Sequence, residues 1–206
     1  MDLSSKSVGK VLRIFLFIAI GLNVIGLFNS YFLAFHTEFF VQYFVTFEQF
    51  TSLFFTLILI ILYILYLVWL FKVHKDLRKL NPEYPTTPGG ALARVIIPFY
   101  NLYGMWNVYS RMAGYFEEKQ ATEKFGNKLS RYIPFYYFLF FISNGLNQYI
   151  SRGTVSGVAN LDKVWLVSYA VDLALVIFFT LIASAVTPAL QTLAKMEETQ
   201  QSEEVI

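Results

Sequence analysis

From Leu53 to Phe71 the chain is almost unbroken Leu, Ile, Phe and Tyr. A bilayer core about 30 Å thick is crossed by roughly 20 apolar residues in a helix. A run of that length and purity has few other uses, so it sets the solvent for the fold before any other feature is weighed. Three further stretches approach the same length. Residues 14–35 contain no charge, residues 132–150 are aromatic at the start and polar near the end, and residues 164–187 are apolar apart from Asp172 and a few hydroxyl residues. With the clearest run taken as 51–71, the pattern predicts an all-α bundle of four transmembrane helices in a single membrane domain over 1–206. Pro188 is expected to stop or kink the last of them. A cleaved signal peptide at the start is the competing reading of 14–35. The run is long for that role, and no small-x-small cleavage site follows it.

Composition agrees. Of 206 residues, 56% are hydrophobic and 15% charged, against about 25% charged in soluble domains. Cysteine is absent and His36 and His74 are the only imidazoles, which excludes disulfides, thiolate metal sites and cysteine nucleophiles. No phosphate loop, catalytic carboxylate pair or Ser/His/Asp set is present. The expectation is therefore a protein that is not an enzyme and carries no cofactor and no metal. A net charge of +2 is too small to suggest nucleic acid as a partner.

Sidedness follows from Lys and Arg. Lys6, Lys10 and Arg13 precede the first span. Lys72, Lys75, Arg78, Lys79, Arg94, Arg111, Lys119, Lys124, Lys128 and Arg131 lie between the second and third, and Lys195 follows the fourth. Only Arg152 and Lys163, of sixteen basic residues, fall on the other side. Both termini and the loop 72–131 are expected in the cytoplasm. Lys72, Lys75, Arg78 and Lys79, together with His74, are expected against anionic headgroups, where each charge is worth about 1 kcal/mol. The outer connection 36–50 and its flanks are dense in Phe and Tyr. They read either as an interfacial aromatic belt or as a lateral docking surface.

The loop 72–131 is not uniform. Pro82, Pro85, Pro88, Gly89 and Gly90 predict a break. A second apolar stretch over 91–109 is interrupted by Arg94, Pro98, Asn101 and Asn107. Met105, Val108 or Tyr109, Met112 and Phe116 recur at helical spacing, so 104–119 is expected to be an amphipathic helix at the inner surface. A short helix over 91–102, bent at Pro98, either dips into the bundle or lies flat. Arg94, Pro98, Asn101, Trp106 and Arg111 mark this inserted or interfacial segment. The acidic tail 195–206 is expected to be frayed helix or disorder.

The motif content here is more specific than membrane composition. Trp69-Leu70-Phe71-Lys72-Val73-His74-Lys75-Asp76-Leu77 runs from a span end into a basic helix. Gly89-Gly90-Ala91 follows, then Ile97-Pro98-Phe99-Tyr100-Asn101-Leu102, Trp106 and Met112-Ala113. Over roughly 69–116 this resembles the bacterial multi-pass membrane family catalogued as domain of unknown function 4328. Leu92 stands where the resemblance leads one to expect an aromatic. The resemblance implies a four-span protein of the bacterial cytoplasmic membrane and supplies no activity.

Asp172 is the one ionisable residue inside the four runs, which makes it a functional candidate by default. It lies eight residues past Val164, about 12 Å along a helix, and Asn144 lies about 9 Å before Ile150. An antiparallel hairpin about Gly157 brings the two nearly level, with Asn23 and Asn29 bracketing that depth. This predicts an intramembrane polar layer of Asp172, Asn144, Asn23 and Asn29. It serves as interhelical hydrogen-bond glue, as a protonatable or ion site, or as an inter-subunit contact. Two function classes follow. The favoured one is an assembly, scaffold or accessory subunit whose partners are the lipid bilayer and a second copy or another membrane protein. The alternative is a small transporter or channel subunit using the Asp172 layer and the segment broken at Pro98. No clear internal repeat supports the latter.

Overall fold

The computed structural model describes residues 2–97, 99–156 and 160–204. Among them are seven helices and no strand: α1 (Ser5–Phe35), α2 (Thr37–Tyr43), α3 (Val45–Leu80), α4 (Pro88–Ile96), α5 (Tyr100–Glu117), α6 (Glu123–Ser156) and α7 (Leu161–Glu204). The all-α expectation holds. Three of these, α1, α3 and the Leu161–Thr199 part of α7, are long and apolar enough to cross a membrane. The expected third span, 132–150, lies inside α6 and is not among them. Its 34 residues give ample length, but Tyr132, Tyr136, Tyr137, Asn144, Asn147, Gln148 and Tyr149 dilute its hydropathy.

Other boundaries also moved. The helix does not stop at Pro188 but continues as α7 to Glu204, taking in most of the tail expected as frayed helix or disorder. A proline inside a helix costs roughly 3 kcal/mol. Here Ala185, Val186, Ala189 and Leu190 around it are all buried, and that packing opposes the cost. Pro88, Gly89 and Gly90, expected in a break, form the first turn of α4. Thr87 is its N-cap, accepting from the Gly90 N–H at 3.0 Å, and Pro88 occupies a first-turn position whose N–H needs no partner. Pro98 lies outside the described residues, as does Gly157. Phe99, the residue before α5, has φ 64° and is 88% exposed.

The helices contribute to two compact units. The first comprises Met1–Arg13, Tyr63–Phe135 and Thr180–Ile206. Its core is large and apolar: Trp69, Leu70, Val73 and Leu77 from α3, Val108, Tyr109, Met112 and Phe116 from α5, Leu129 from α6, and Ile182, Val186 and Leu190 from α7. The buried face of α5 is the one its periodicity predicted. At Gly104 an added Cβ would sit 2.3 Å from the Arg94 carbonyl oxygen, so α5 can lie this close to α4 only with glycine there. The α1 N-terminus is capped from a distance. Asp76, 2% exposed, accepts from the Ser4 N–H (3.0 Å), the Ser4 hydroxyl (2.8 Å) and the Ser5 N–H (2.8 Å). These are N–H groups the helix cannot satisfy itself, at its positive end.

The second unit comprises Ile14–Leu62 and Tyr136–Phe179. Its buried set mixes Leu16, Ala19, Ile58 and Leu62 with Asn23, Asn29, Ser30, Ser143 and Ser168. Large apolar side chains such as Phe17, Phe28, Leu53, Phe54, Leu57, Ile60 and Phe138 are exposed. The expected single connection over 36–50 contains α2, which joins the end of α1 in an aromatic cluster. Phe32 stacks on Phe44 at 5.5 Å, with Phe28 and Phe39 in contact beside them.

Candidate functional site

In the second unit, buried polar atoms face a cavity of about 300 Å³ lined by Asn29, Ser30, Leu33, Phe40, Glu48, Ser52, Trp165 and Tyr169. Glu48 is the centre of it. It stands in the first turn of α3, where carboxylates suit the helix dipole. Its Oε2 accepts from the Asn29 amide and from the Thr51 hydroxyl at 3.5 Å, and the Tyr169 hydroxyl is also directed at its carboxyl. Asn29 is 1% exposed, and its Oδ1 has no partner. The amide orientation is fixed, because flipping it would set Oδ1 against a carboxylate oxygen.

Tyr169 is held by close packing. A Cβ on Gly26 would lie 2.2 Å from Tyr169 Cε1, so the ring occupies space that only glycine leaves on α1. Phe55 stacks on Tyr169 at 6.5 Å and Trp165 tilts against it at 6.1 Å. The arrangement thus offers one carboxylate, an unpaired amide oxygen, hydroxyls and the Trp165 and Tyr169 side chains at a single cavity.

The anticipated polar layer is arranged differently. Asp172 accepts from the Ser143 hydroxyl and interacts with Ser168. Asn147 donates to Ser143 Oγ at 3.4 Å. Asn144 is exposed and donates to the Phe140 carbonyl of its own helix at 2.7 Å, so Ser143 rather than Asn144 meets Asp172. Asn23 is fully buried, donates to the Ala19 carbonyl at 2.9 Å, and leaves Oδ1 unpartnered. Asn29 joins Glu48, a residue outside the expected layer.

The first unit holds a second polar cluster. Lys75, Arg78 and Lys79 are exposed and Lys72 is half-buried. His74, expected beside them at headgroups, is 0% exposed. Its Nδ1 meets the Leu70 carbonyl at 2.9 Å, a donor contact that leaves Nε2 facing inward without a partner. The Tyr84 ring lies 5.9 Å away and packs edge-on to Tyr115 at 5.2 Å. Burial pushes the hydroxyls of Tyr84 and Tyr115 above the ordinary phenol range, so both stay protonated. The Tyr84 and Thr86 hydroxyls are buried and interact with one another, and Arg94 Nη1 is buried without a hydrogen-bond partner. Arg94 Nε donates to the Tyr100 hydroxyl at 3.3 Å. Of the remaining segment residues, Asn101 and Trp106 are half-buried and Arg111 is exposed. Among the described residues, no group of three or more His, Asp or Glu could hold a metal ion.

A family model described as domain of unknown function (DUF4328) matches residues 36–191. No curated protein and no solved structure matches the chain.

Proposed function

The chain belongs to the DUF4328 family, whose function is unknown, and from that premise we propose that it is a four-span assembly or accessory subunit of the bacterial cytoplasmic membrane. The spans are α1, α3, the apolar part of α6, and α7, with both termini and the loop 72–131 in the cytoplasm. The distribution of Lys and Arg supports that sidedness. Lys75, Arg78 and Lys79, which are exposed, face anionic headgroups. The protein works through helix–helix and protein–lipid contacts rather than by catalysis.

One observation carries the reading. Leu53, Leu57, Ile60 and Ile61 fall at helical spacing along α3, and all are exposed. Such a stripe suits lipid or the face of another membrane helix, from a second copy or a different protein. The chain lacks cysteine, so Leu57→Cys gives a single reporter. We expect it to cross-link to a partner helix in native membranes, and that partner to stay bound through purification in mild detergent. A chain that purifies alone and never cross-links is not an assembly subunit. Labelling of Lys124→Cys from outside intact cells would overturn the sidedness.

A transporter or channel subunit is favoured by a different observation, the two carboxylates Glu48 and Asp172 that both act on Tyr169. Solute flux into liposomes, abolished by Asp172→Ala, would support it.

A further inference from the structure

The cavity around Glu48 has an unbalanced chemistry. Its lining carries the Glu48 carboxylate, the orphaned Asn29 Oδ1 and the Ser30, Ser52 and Tyr169 hydroxyls, with the Asn29 amide, already given to Glu48, and the Trp165 indole N–H as its other donors. The groups that donate to Glu48 are neutral, an amide and hydroxyls. Neither Lys nor Arg occurs between Arg13 and Lys72, so the stretches of α1, α2 and α3 in this unit carry none; its basic residues, Arg152 and Lys163, do not line the cavity. A buried amide oxygen without a donor is costly, and the half-buried Glu48 carboxyl beside it, met only by neutral donors, is open to a cation.

The rest of the lining shows what kind of cation fits. Trp165 and Tyr169 present aromatic rings, with Phe40 and Leu33 beside them. Aromatic faces attract alkylated ammonium groups through their quadrupole, and such rings beside a carboxylate form the usual cage for them. A bare divalent ion is a poorer match, since it takes six or more oxygen ligands and one carboxylate is present. At about 300 Å³ the cavity is at the small end of the range for ligand pockets, large enough for an ammonium head and little more.

We propose that the cavity lined by Asn29, Glu48, Trp165 and Tyr169 is a binding site for an organic ammonium group. Glu48 supplies the counter-charge, Asn29 Oδ1 accepts an N–H or meets the polarised methyl groups, and Trp165 and Tyr169 supply the π faces. Gly26 is a positioning residue, because its missing Cβ leaves room for the Tyr169 ring. The ammonium group comes either from a free small amine or from the headgroup of phosphatidylethanolamine. The site depends on the second unit alone and does not require the assembly role or the sidedness proposed above.

The test uses the full chain in phosphatidylglycerol nanodiscs, titrated calorimetrically with tetramethylammonium and with ethanolamine. A parallel preparation in phosphatidylethanolamine nanodiscs is released for native mass spectrometry. We expect saturable binding by the unmodified chain, weakened about tenfold or more in both Glu48→Gln and Trp165→Leu, with melting temperatures close to the parent. Equal binding of the free amines in both lipids identifies a free ligand. One retained phosphatidylethanolamine per chain, lost in Glu48→Gln and blocking the amines, identifies the headgroup. If Glu48→Gln fails to fold, Trp165→Leu decides alone. The proposal is overturned if the folded parent binds none of the three probes saturably, or if binding survives unchanged in every variant that folds.

Discussion

The two units both bury polar groups but differ in what they do with large apolar side chains. The first buries many large apolar side chains, Trp69, Tyr109, Met112 and Phe116 among them, beside His74, Asp76, Thr86 and Thr122. The second buries Asn23, Asn29, Ser30, Ser143 and Ser168 while exposing Phe17, Phe28, Phe54 and Ile60. In water that inversion would be unstable, because contiguous exposed apolar surface promotes aggregation. In lipid it is expected. Hydrocarbon tails are as apolar as Leu, so helices gain nothing by hiding apolar side chains from them. Close approach at small residues and hydrogen bonds hold them together instead. The inversion therefore points to the membrane on grounds separate from mean hydropathy, and it predicts that the same kind of substitution has different consequences in each unit.

The largest contrast concerns truncation. Trp69→Ala empties a fully buried site in the first unit and should cost about 3–5 kcal/mol. Leu57→Ala removes a side chain that is 52% exposed in the second, and should cost less than about 0.5 kcal/mol. Unfolding titrations in mixed micelles measure both. With any partner helix stripped by denaturing detergent, equal losses would mean that Leu57 is buried within the chain itself and that its side of α3 is neither a lipid nor a partner face.

Charge gives the next contrast. Leu57→Lys places an ammonium where lipid is expected and should oppose insertion by about 2.5–3.5 kcal/mol, the cost of such a residue near a span centre. Lys75→Leu, at an exposed position of the first unit, should change stability by less than about 0.5 kcal/mol. The membrane-inserted fraction reports the former and micellar unfolding the latter. If Leu57→Lys inserts as well as the parent, that face is not in lipid.

How much of this was legible in the chain depends on what kind of information was used. The α5 stripe was legible because five buried residues repeat at helical spacing. His74 was misplaced because its neighbours Lys72 and Lys75 suggested headgroups. The better signal was periodicity, since Leu70, Val73 and Leu77 put a residue one turn after Leu70 on the buried face. The start of α4 was missed because Pro-Gly-Gly reads as a break unless Thr87 is recognised as a cap. Glu48 was missed because the apolar window opened at Thr51, whereas α3 runs unbroken from Val45 and puts Glu48 one turn earlier on the same helix. In each case composition outweighed helical phase.

Asp172 shows the same lesson at the smallest energy. Depth along a helix placed it level with Asn144, and depth changes by only about 1.5 Å per residue. Direction turns by about 100° per residue, so one position decides which side chain reaches across, and Ser143 does. A short hydrogen bond between a carboxylate and a hydroxyl looks strong. Between helices in lipid, however, such pairs contribute about 0.6 kcal/mol on average, because the separated helices find other partners. A double-mutant cycle of Asp172→Asn and Ser143→Ala in micellar unfolding should therefore give a coupling near 0.6 kcal/mol. Asn144→Ala should show no coupling to Asp172→Asn. A coupling of several kcal/mol would mean that Asp172 is buried as in a water-excluded protein core, and the contrast between the two units would fail at its most polar point.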